Sequence, residues 1–255
     1  MEKAEIAVIG GSGLYNLFEK TKQIKIKTPY GYPSDKISIG KITGRKVAFL
    51  PRHGKSHQYP PHMIPYQANL WALKNIGVNC IIAPSAVGSL QPHIKRGDFV
   101  ICDQFINMTS GRDDTYFNGP KVHHISTAEP YCKELRKITI KMAKKLRLRV
   151  HDRGTVVVVQ GPRLGTKAES CWFKSLGWEV VNMTQYPEVT LSKELGMCYV
   201  NISLVTDYDA WSPEIVSIKD VFRIMAENIE NFKALIRELI PEMPENRKCQ
   251  CSKIL

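Results

Sequence analysis

The sequence predicts an α/β fold, a single domain with a central mixed β-sheet flanked by helices. Three observations predict it. Short apolar runs rich in β-branched residues recur along the 255 residues. Helical patterns with three- and four-residue apolar spacing fall between several of them. No repeat, low-complexity stretch or long Pro/Gly linker divides the chain. Hydrophobic residues make up 43% and charged residues 24%, which suits a globular protein with a sizeable core.

Strands are expected over Glu5–Ile9, Lys46–Leu50, Cys80–Ala83, Phe99–Ile106, Thr155–Val159, Glu179–Val181 and Tyr199–Val205. Tyr66–Ile76 reads as a helix ending at Gly77, and Pro130–Leu146 as one with proline in its first turn, where a missing N–H is tolerated. Thr166–Leu176 and Pro187–Leu195 end at Gly177 and Gly196, the usual stop position. The last helix starts at the capping-box pattern Ser217-Ile-Lys-Asp220 and carries Val221, Ile224, Met225, Phe232, Leu235, Ile236 and Leu239 until Pro241. One domain over residues 1–240 and a floppy C-terminal tail over 241–255 follow. The stretch Asn107–His124 has no clear period, and structureless loops of that length are often functional.

The net charge of +12 fits either attraction of anions or a lysine-rich solvated surface. Its densest patch, Lys141 to Arg149, falls on the wet side of an amphipathic pattern built on Leu135, Ile138, Met142 and Leu146. No nucleic-acid-binding motif accompanies the charge, so a basic nucleic-acid module is disfavoured and no nucleic-acid partner is expected. No apolar run reaches the roughly 18 residues of a membrane span. The N-terminus enters a strand-like run with no signal-peptide core, so a cytoplasmic location is expected. Seven cysteines, an odd number, suit a secreted disulfide scaffold poorly. Zinc needs about four ligands, usually in short-spaced pairs. Only Cys249-Gln250-Cys251 is so spaced, and no zinc site is expected.

Four clusters follow strand-like runs. Gly10-Gly11-Ser12-Gly13 is either a phosphate-cradling turn or a plain tight turn; it lacks the spacing of a dinucleotide or P-loop fingerprint. In Pro51-Arg52-His53-Gly54, a guanidinium and an imidazole sit where ligands bind α/β sheets, beyond the carboxyl end of a strand. The alternative is an Arg–carboxylate ion pair beside a solvated histidine. His57 reads as a surface histidine. Ser85-Ala86-Val87-Gly88-Ser89 is small enough for close backbone approach to a ligand, or is a strand-to-helix turn. Thr206-Asp207-Tyr208-Asp209 places two acids where a curled turn brings both to one planar ring, one donating a proton and one accepting; an acidic helix cap is the alternative. Together the four fit attack of phosphate on a glycosidic bond.

The chain resembles the trimeric purine nucleoside phosphorylase and methylthioadenosine phosphorylase family from about Ile6 to Ile240. The shared motifs include IGGSGL, TPYGYPSD, RHG, PYQANLWALK, AEPYC, GPR, AES, VNMT, PEV and TDYDAW, in order. The resemblance implies that Ser12, Arg52, His53, Ser85, the backbone of Ala86 and Thr184 bind phosphate. Met183 would bond a ribose hydroxyl through its N–H. Asp207 would protonate or hydrogen-bond the purine N7, and Asp209 would accept from a 6-amino group, so an adenine nucleoside is expected. The reaction implied is phosphorolysis of 5′-methylthioadenosine to adenine and 5-methylthioribose 1-phosphate, in purine and methionine salvage. A phosphorylase of broad or 6-oxopurine preference is the alternative.

Inorganic phosphate is a co-substrate, and no metal or organic cofactor is implied. His124 resembles the histidine that reaches a neighbouring subunit's 5′ pocket, which implies a trimer or a pair of trimers. The chain departs from the family at Gln160, where Glu is common, and at Leu164 and Gly165, where an aromatic and a serine are common near the base. Ile218 and Phe222 would line an apolar 5′ pocket. Cys132 and Cys198 resemble paired cysteines of heat-stable members, as does the Cys249-Gln-Cys251 tail, which implies a Cys132–Cys198 disulfide bond and a thermophilic source.

Overall fold

The computed structural model describes residues 2–11, 13–14, 21–214 and 218–253. Ser12, Ser217 and the side chain of Ile218 lie outside the described residues. In chain order the first strands are β1 (Ile6–Gly10), β2 (Lys22–Ile24), β3 (Ile37–Ile42) and β4 (Arg45–Pro51). Helix α1 (Tyr66–Asn75) leads to β5 (Cys80–Ser89), β6 (Phe99–Val100) and β7 (Gln104–Met108). Then come α2 (Lys133–Lys145), β8 (Val150–His151), β9 (Thr155–Val159), α3 (Lys167–Ser175) and β10 (Val180–Asn182). The chain closes with α4 (Gln185–Glu194), β11 (Cys198–Tyr208) and α5 (Ile218–Glu242).

Eleven strands among the described residues form one mixed sheet. β1 is buried along its length, parallel to β4 on one edge and to β5 on the other. Because alternate strand residues point to opposite faces, β1 feeds two cores. Ala7 and Ile9 pack with Leu70 and Leu73 of α1 and Val189 and Leu191 of α4. Ile6 and Val8 pack with Leu135 and Met142 of α2 and Phe232, Leu235 and Leu239 of α5. Helices thus cover both faces, which is why the strands read as continuous apolar runs rather than alternating ones. Each fully buried leucine or phenylalanine contributes about 1.5–3 kcal/mol.

β5 is the branch point. Along one edge it is parallel to β11 over its whole length. On the other edge β1 accompanies only Cys80 to Ile82, and β10 joins antiparallel at Gly88 and Ser89. Residues 83–87 therefore face a fork with no strand on that edge among the described residues. N–H and C=O of a strand residue point the same way and alternate from one residue to the next. The carbonyls of Ala83 and Val87 receive Asn201 Nδ2 and Thr206 Oγ1 of β11, whereas that of Pro84 receives Arg52 across the fork. The alternation turns the backbone of Ala86 into the fork as well.

The structure differs from the sequence reading in several places. Phe99–Ile106 is broken between β6 and β7, which join opposite branches of the sheet. The β2–β3–β4 meander was unmarked; its second turn is Thr43-Gly44, where φ of +84° at position 44 requires glycine. Helix α2 begins at Lys133 rather than Pro130, with Cys132 at its N-cap. The described part of the tail makes defined contacts with the body. Helix α5 runs through Pro241, and Arg247 Nη1 donates to the carbonyls of Gly196 and Asn79 at 2.9 and 3.3 Å, holding the tail against the sheet. The basic patch is an ordinary solvated face, with Lys145 paired to Glu238 of α5 at 2.6 Å and Lys144 to Asp152 at 3.5 Å.

Candidate active site

The fork gathers the ends of β1, β4, β5, β10 and β11. At its floor lies Arg52, following β4 and only 3% exposed. Its Nε and Nη2 bind the Glu188 carboxylate in a bidentate fork at 2.8 and 2.9 Å. Nη2 also donates to the carbonyl of Ile9 at 2.9 Å, and Nη1 to that of Pro84 at 3.0 Å. Arg52 is therefore a strut between the diverging β1 and β5. The ion pair weighed as its alternative role is present, and one Nη1 hydrogen stays available among the described residues. Glu188 of α4, whose Oε1 also accepts from Tyr199 Oη at 2.7 Å, belongs to the shared PEV motif but was given no role from the sequence.

Ser85 is buried at the fork. Its Oγ accepts from Asn182 Nδ2 at 3.3 Å and Asn201 Nδ2 at 3.1 Å. The amides are oriented by Thr184 N donating to Asn182 Oδ1 and by Ser203 Oγ donating to Asn201 Oδ1. A hydroxyl has two lone pairs and one hydrogen. With both lone pairs engaged, the Ser85 hydrogen is left to donate, the polarity an anion requires. Ala86 beside it is exposed in an otherwise buried stretch. Thr184, buried at the N-cap of α4, makes no side-chain capping bond.

His53 is half-buried, its Nδ1 2.9 Å from the Tyr59 carbonyl and its ring stacked on His57 with centroids 4.4 Å apart. A carbonyl only accepts, so Nδ1 carries the hydrogen. Burial lowers the His53 pKa to about 4, with Arg52 and His57 adding to the effect. The ring is neutral at pH 7, and Nε2 is an acceptor. His57, read as a surface histidine, is exposed but forms the other half of the stack.

The two acids converge above the branch strand. A register shift between Val205 and Asp207 sets Asp207 opposite Gly88. A Cβ at Gly88 would press on Val181 Cγ1 at 3.3 Å and touch Asp209 Cβ at 3.4 Å and Asp207 Oδ2 at 3.6 Å, so glycine here keeps the space beside the two acids clear. Burial raises the Asp207 pKa and the neighbouring Asp209 raises it further, while a 2.5 Å bond from Thr206 Oγ1 opposes them. Asp209 is held through its N–H, which donates to the Ser89 carbonyl at 3.0 Å. Gly165 lies beside it: a Cβ there would be 4.0 Å from Asp209 Oδ2. The next residues form a capping box, Thr166 with Glu169, that starts α3.

Met183 sits in the β10–α4 turn. Its carbonyl accepts from Arg112 Nη2 at 3.0 Å, and Arg112 also binds the carbonyls of Gln160 and Tyr186. Through Arg112 the irregular loop thus braces the β10–α4 turn. The structure leaves other expected residues at the rim. Leu164 is 79% exposed and Phe222, on the first turn of α5, is 70% exposed. His124 is exposed, and no hydrogen bond joins it to the fork of its own chain among the described residues. Glu188, Asn182, Asn201 and Arg112 were given no role from the sequence. Each is a polar residue with a partner far along the chain, Glu188 being 136 positions from Arg52.

All seven cysteines are free thiols, so the Cys132–Cys198 disulfide bond expected from the resemblance is not present in this structure. Cys198 Sγ instead has Cys249 Sγ 3.2 Å away, well beyond the roughly 2.05 Å of a covalent bond.

Comparison with known proteins places the chain in a family. A family model described as the phosphorylase superfamily matches residues 5–241. The S-methyl-5′-thioadenosine phosphorylase of Pyrococcus horikoshii is 54% identical over 98% of this chain and 97% of its own length. That of Thermofilum pendens is 51% identical over 100% of this chain and 98% of its own. Among solved structures, a methylthioadenosine phosphorylase from an antarctic soil metagenomic library superposes with a TM-score of 0.96 at 38% identity, covering 100% of this chain and 92% of that one. An S12T mutant of the Schistosoma mansoni adenosine/methylthioadenosine phosphorylase in complex with methylthioadenosine gives 0.88 at 35% identity, over 94% of this chain and 91% of that one. The chain belongs to the phosphorylase superfamily, among the S-methyl-5′-thioadenosine phosphorylases.

Proposed function

We propose that the protein cleaves S-methyl-5′-thioadenosine with inorganic phosphate, releasing adenine and 5-methylthioribose 1-phosphate. The observation that carries the reading is the fork beside β5, with hydroxyl and amide donors at its floor and paired acids above. Phosphate enters the fork and meets the Ser85 hydroxyl, the Ala86 N–H, the Thr184 hydroxyl and the remaining Nη1 hydrogen of Arg52; Ser12, two positions after the end of β1 in the sequence, lies outside the described residues. Because His53 Nε2 accepts, monohydrogen phosphate would bind with its own hydroxyl donating to that nitrogen. The Met183 N–H bonds the ribose. Asp207, holding its proton to higher pH than an ordinary carboxyl, donates to N7 as the glycosidic bond breaks. Charge then develops between a ribosyl cation and a phosphate in a preorganised polar site, the arrangement that usually supplies the largest catalytic term.

Asp209 sets the base preference. A carboxylate accepts from a 6-amino group and has nothing to donate to a 6-oxo group, and an unpaired buried group penalises the wrong base. Phosphate-dependent turnover of methylthioadenosine, adenosine and inosine tests this: methylthioadenosine is expected first, and a preference for inosine would refute the reading. Asp209→Asn is expected to move the ratio toward inosine by about tenfold or more.

We further propose a homotrimer, or a pair of trimers, in the cytoplasm. The exposed Met63, Val122, Leu164, Trp172 and Phe222 support it, since large apolar side chains at a monomer surface are commonly covered by a partner. His124 would then reach a neighbour's 5′ pocket, the pocket lined by that neighbour's Ile218 and Phe222. Among the described residues no helix is long and apolar enough to cross a membrane. Light scattering of the purified protein reads the assembly directly.

A further inference from the structure

A chain of hydrogen bonds runs through the buried interior to Ser85, and its direction is fixed at every link. Asn201 Nδ2 faces the Ala83 carbonyl at 2.9 Å, and a carbonyl only accepts, so that end of the amide is the nitrogen. Its second hydrogen goes to Ser85 Oγ at 3.1 Å. Asn201 Oδ1 then lies 2.7 Å from Ser203 Oγ, whose one hydrogen must point to it. With that hydrogen spent, Ser203 only accepts from its other neighbours. Gln185 Nε2 therefore donates to it at 3.3 Å, and the Cys102 thiol, at 3.4 Å, fills its second lone pair. Gln185 Oε1, the other end of that amide, accepts from Tyr131 Oη. Among the described residues nothing donates to Tyr131 Oη, so the chain begins there.

We propose that Tyr131, Gln185 and Ser203 are positioning residues for phosphate, acting through Asn201 to aim the Ser85 hydroxyl; this rests on the reading of the fork as the phosphate site. Turned over, the Asn201 amide would offer Ser85 an oxygen, and the Ser85 hydrogen would be drawn inward instead of toward an anion. The Ala83 carbonyl and the Ser203 hydrogen both oppose that turn. Ser203 keeps its hydrogen on Asn201 because Gln185 donates to its oxygen. Gln185 in turn keeps that orientation because Tyr131 donates to its carbonyl end. Tyr131 is 3% exposed, Gln185 1%, and Asn201 and Ser203 0%, and in such a low-dielectric interior each aligned bond polarises the next. Burial raises the pKa of the Tyr131 phenol and pushes that of the Cys102 thiol up to about 12, so both keep the hydrogens they donate. Tyr131 precedes α2, Gln185 opens α4 and Ser203 lies on β11, so three elements set the polarity of one hydroxyl.

Steady-state kinetics of the full chain, with phosphate and methylthioadenosine varied in turn, tests the relay. Tyr131→Phe keeps the ring against Tyr199, centroids 6.1 Å apart, and removes only the donor. The KM for phosphate is expected to rise about two- to fivefold, within the usual worth of one neutral hydrogen bond, while the KM for methylthioadenosine changes less. Ser203→Ala cuts the chain nearer Ser85 and is expected to raise the phosphate KM at least as much. A merely structural role would lower the melting temperature without separating the two substrates. The same two substitutions are then made in a Ser85→Ala background, where neither should raise the phosphate KM further. An unchanged phosphate KM in either variant, beside a raised one in Ser85→Ala, overturns the relay alone. A further rise in the Ser85→Ala background overturns it too, since the effect then bypasses Ser85. If Ser85→Ala itself leaves the phosphate KM unmoved, the phosphate reading of the fork falls and the relay with it.

Discussion

β5 and β11 run side by side, and their two ends are made of different material. At the amino end stand sulfurs, Cys80 and Cys198, in buried surroundings. At the carboxyl end stand Ser85, Thr206, Asp207 and Asp209, with glycine where space is needed. The amino end has its polar atoms turned inward on one another. The carboxyl end has hydrogens and lone pairs left over. That difference separates holding from reacting: a group whose bonding capacity is filled by the protein is scaffold, and one with a hydrogen or lone pair to spare is chemistry. Arg52 stands on the border, nearly filled by Glu188 and two carbonyls.

The comparison breaks first at Asp207. Asp207→Ala is expected to lower kcat/KM by about 10²–10⁴, the usual worth of a placed proton donor, with the KM for phosphate little changed. Asp207→Asn should recover part of the loss, because an amide N–H can still bond N7. Steady-state kinetics with both substrates varied separates these outcomes; equal losses in phosphate affinity would place Asp207 elsewhere. Next comes Glu188→Ala, which strands a buried guanidinium and should destabilise the fold by about 3–5 kcal/mol. Calorimetry would show a melting point lower by about 10 °C. A negligible shift would mean that Arg52 is neutralised by something other than Glu188.

Ser85→Ala is a smaller lesion. It removes the hydrogen offered to phosphate, and the KM for phosphate should rise about tenfold while kcat for saturating substrate changes less. The smallest expected effect is in acid stability. The unfolded His53 takes up a proton near pH 6.5, whereas the folded ring resists until about pH 4. Its contribution is thus fully present above about pH 6.5 and is lost as pH falls toward 4. His53→Asn should flatten the stability profile across that window, read from denaturant midpoints at successive pH values.

Much of the fold was legible because doubly covered strands leave an unbroken apolar trace, as Thr155–Val159 and Tyr199–Val205 did. The β2–β3 pair was missed because Lys22–Ile24 is short and mostly exposed, with no apolar trace to follow. In the site, Arg52, His53, Ser85, Asp207 and Asp209 were visible because each follows a strand-like run, where chemistry gathers in α/β proteins. Glu188, Asn182 and Asn201 were not. A buried polar residue is recognisable only by its partner, and those partners come from other strands. The cluster of Cys132, Cys198, Cys249 and Cys251 was half visible: the resemblance paired Cys132 with Cys198, but no spacing in the chain brings the Cys249–Cys251 tail to them.

The fork in the sheet would give the proposed co-substrate a second character. A strand that loses a neighbour for part of its length leaves a seam in the protein's interior, and phosphate bound as proposed would fill that seam as the last piece of the architecture. Binding and folding then draw on the same bonds, so the protein should resist heat better as phosphate rises, by RT ln(1 + [L]/Kd). A cell poor in phosphate would hold an enzyme that is both slower and softer.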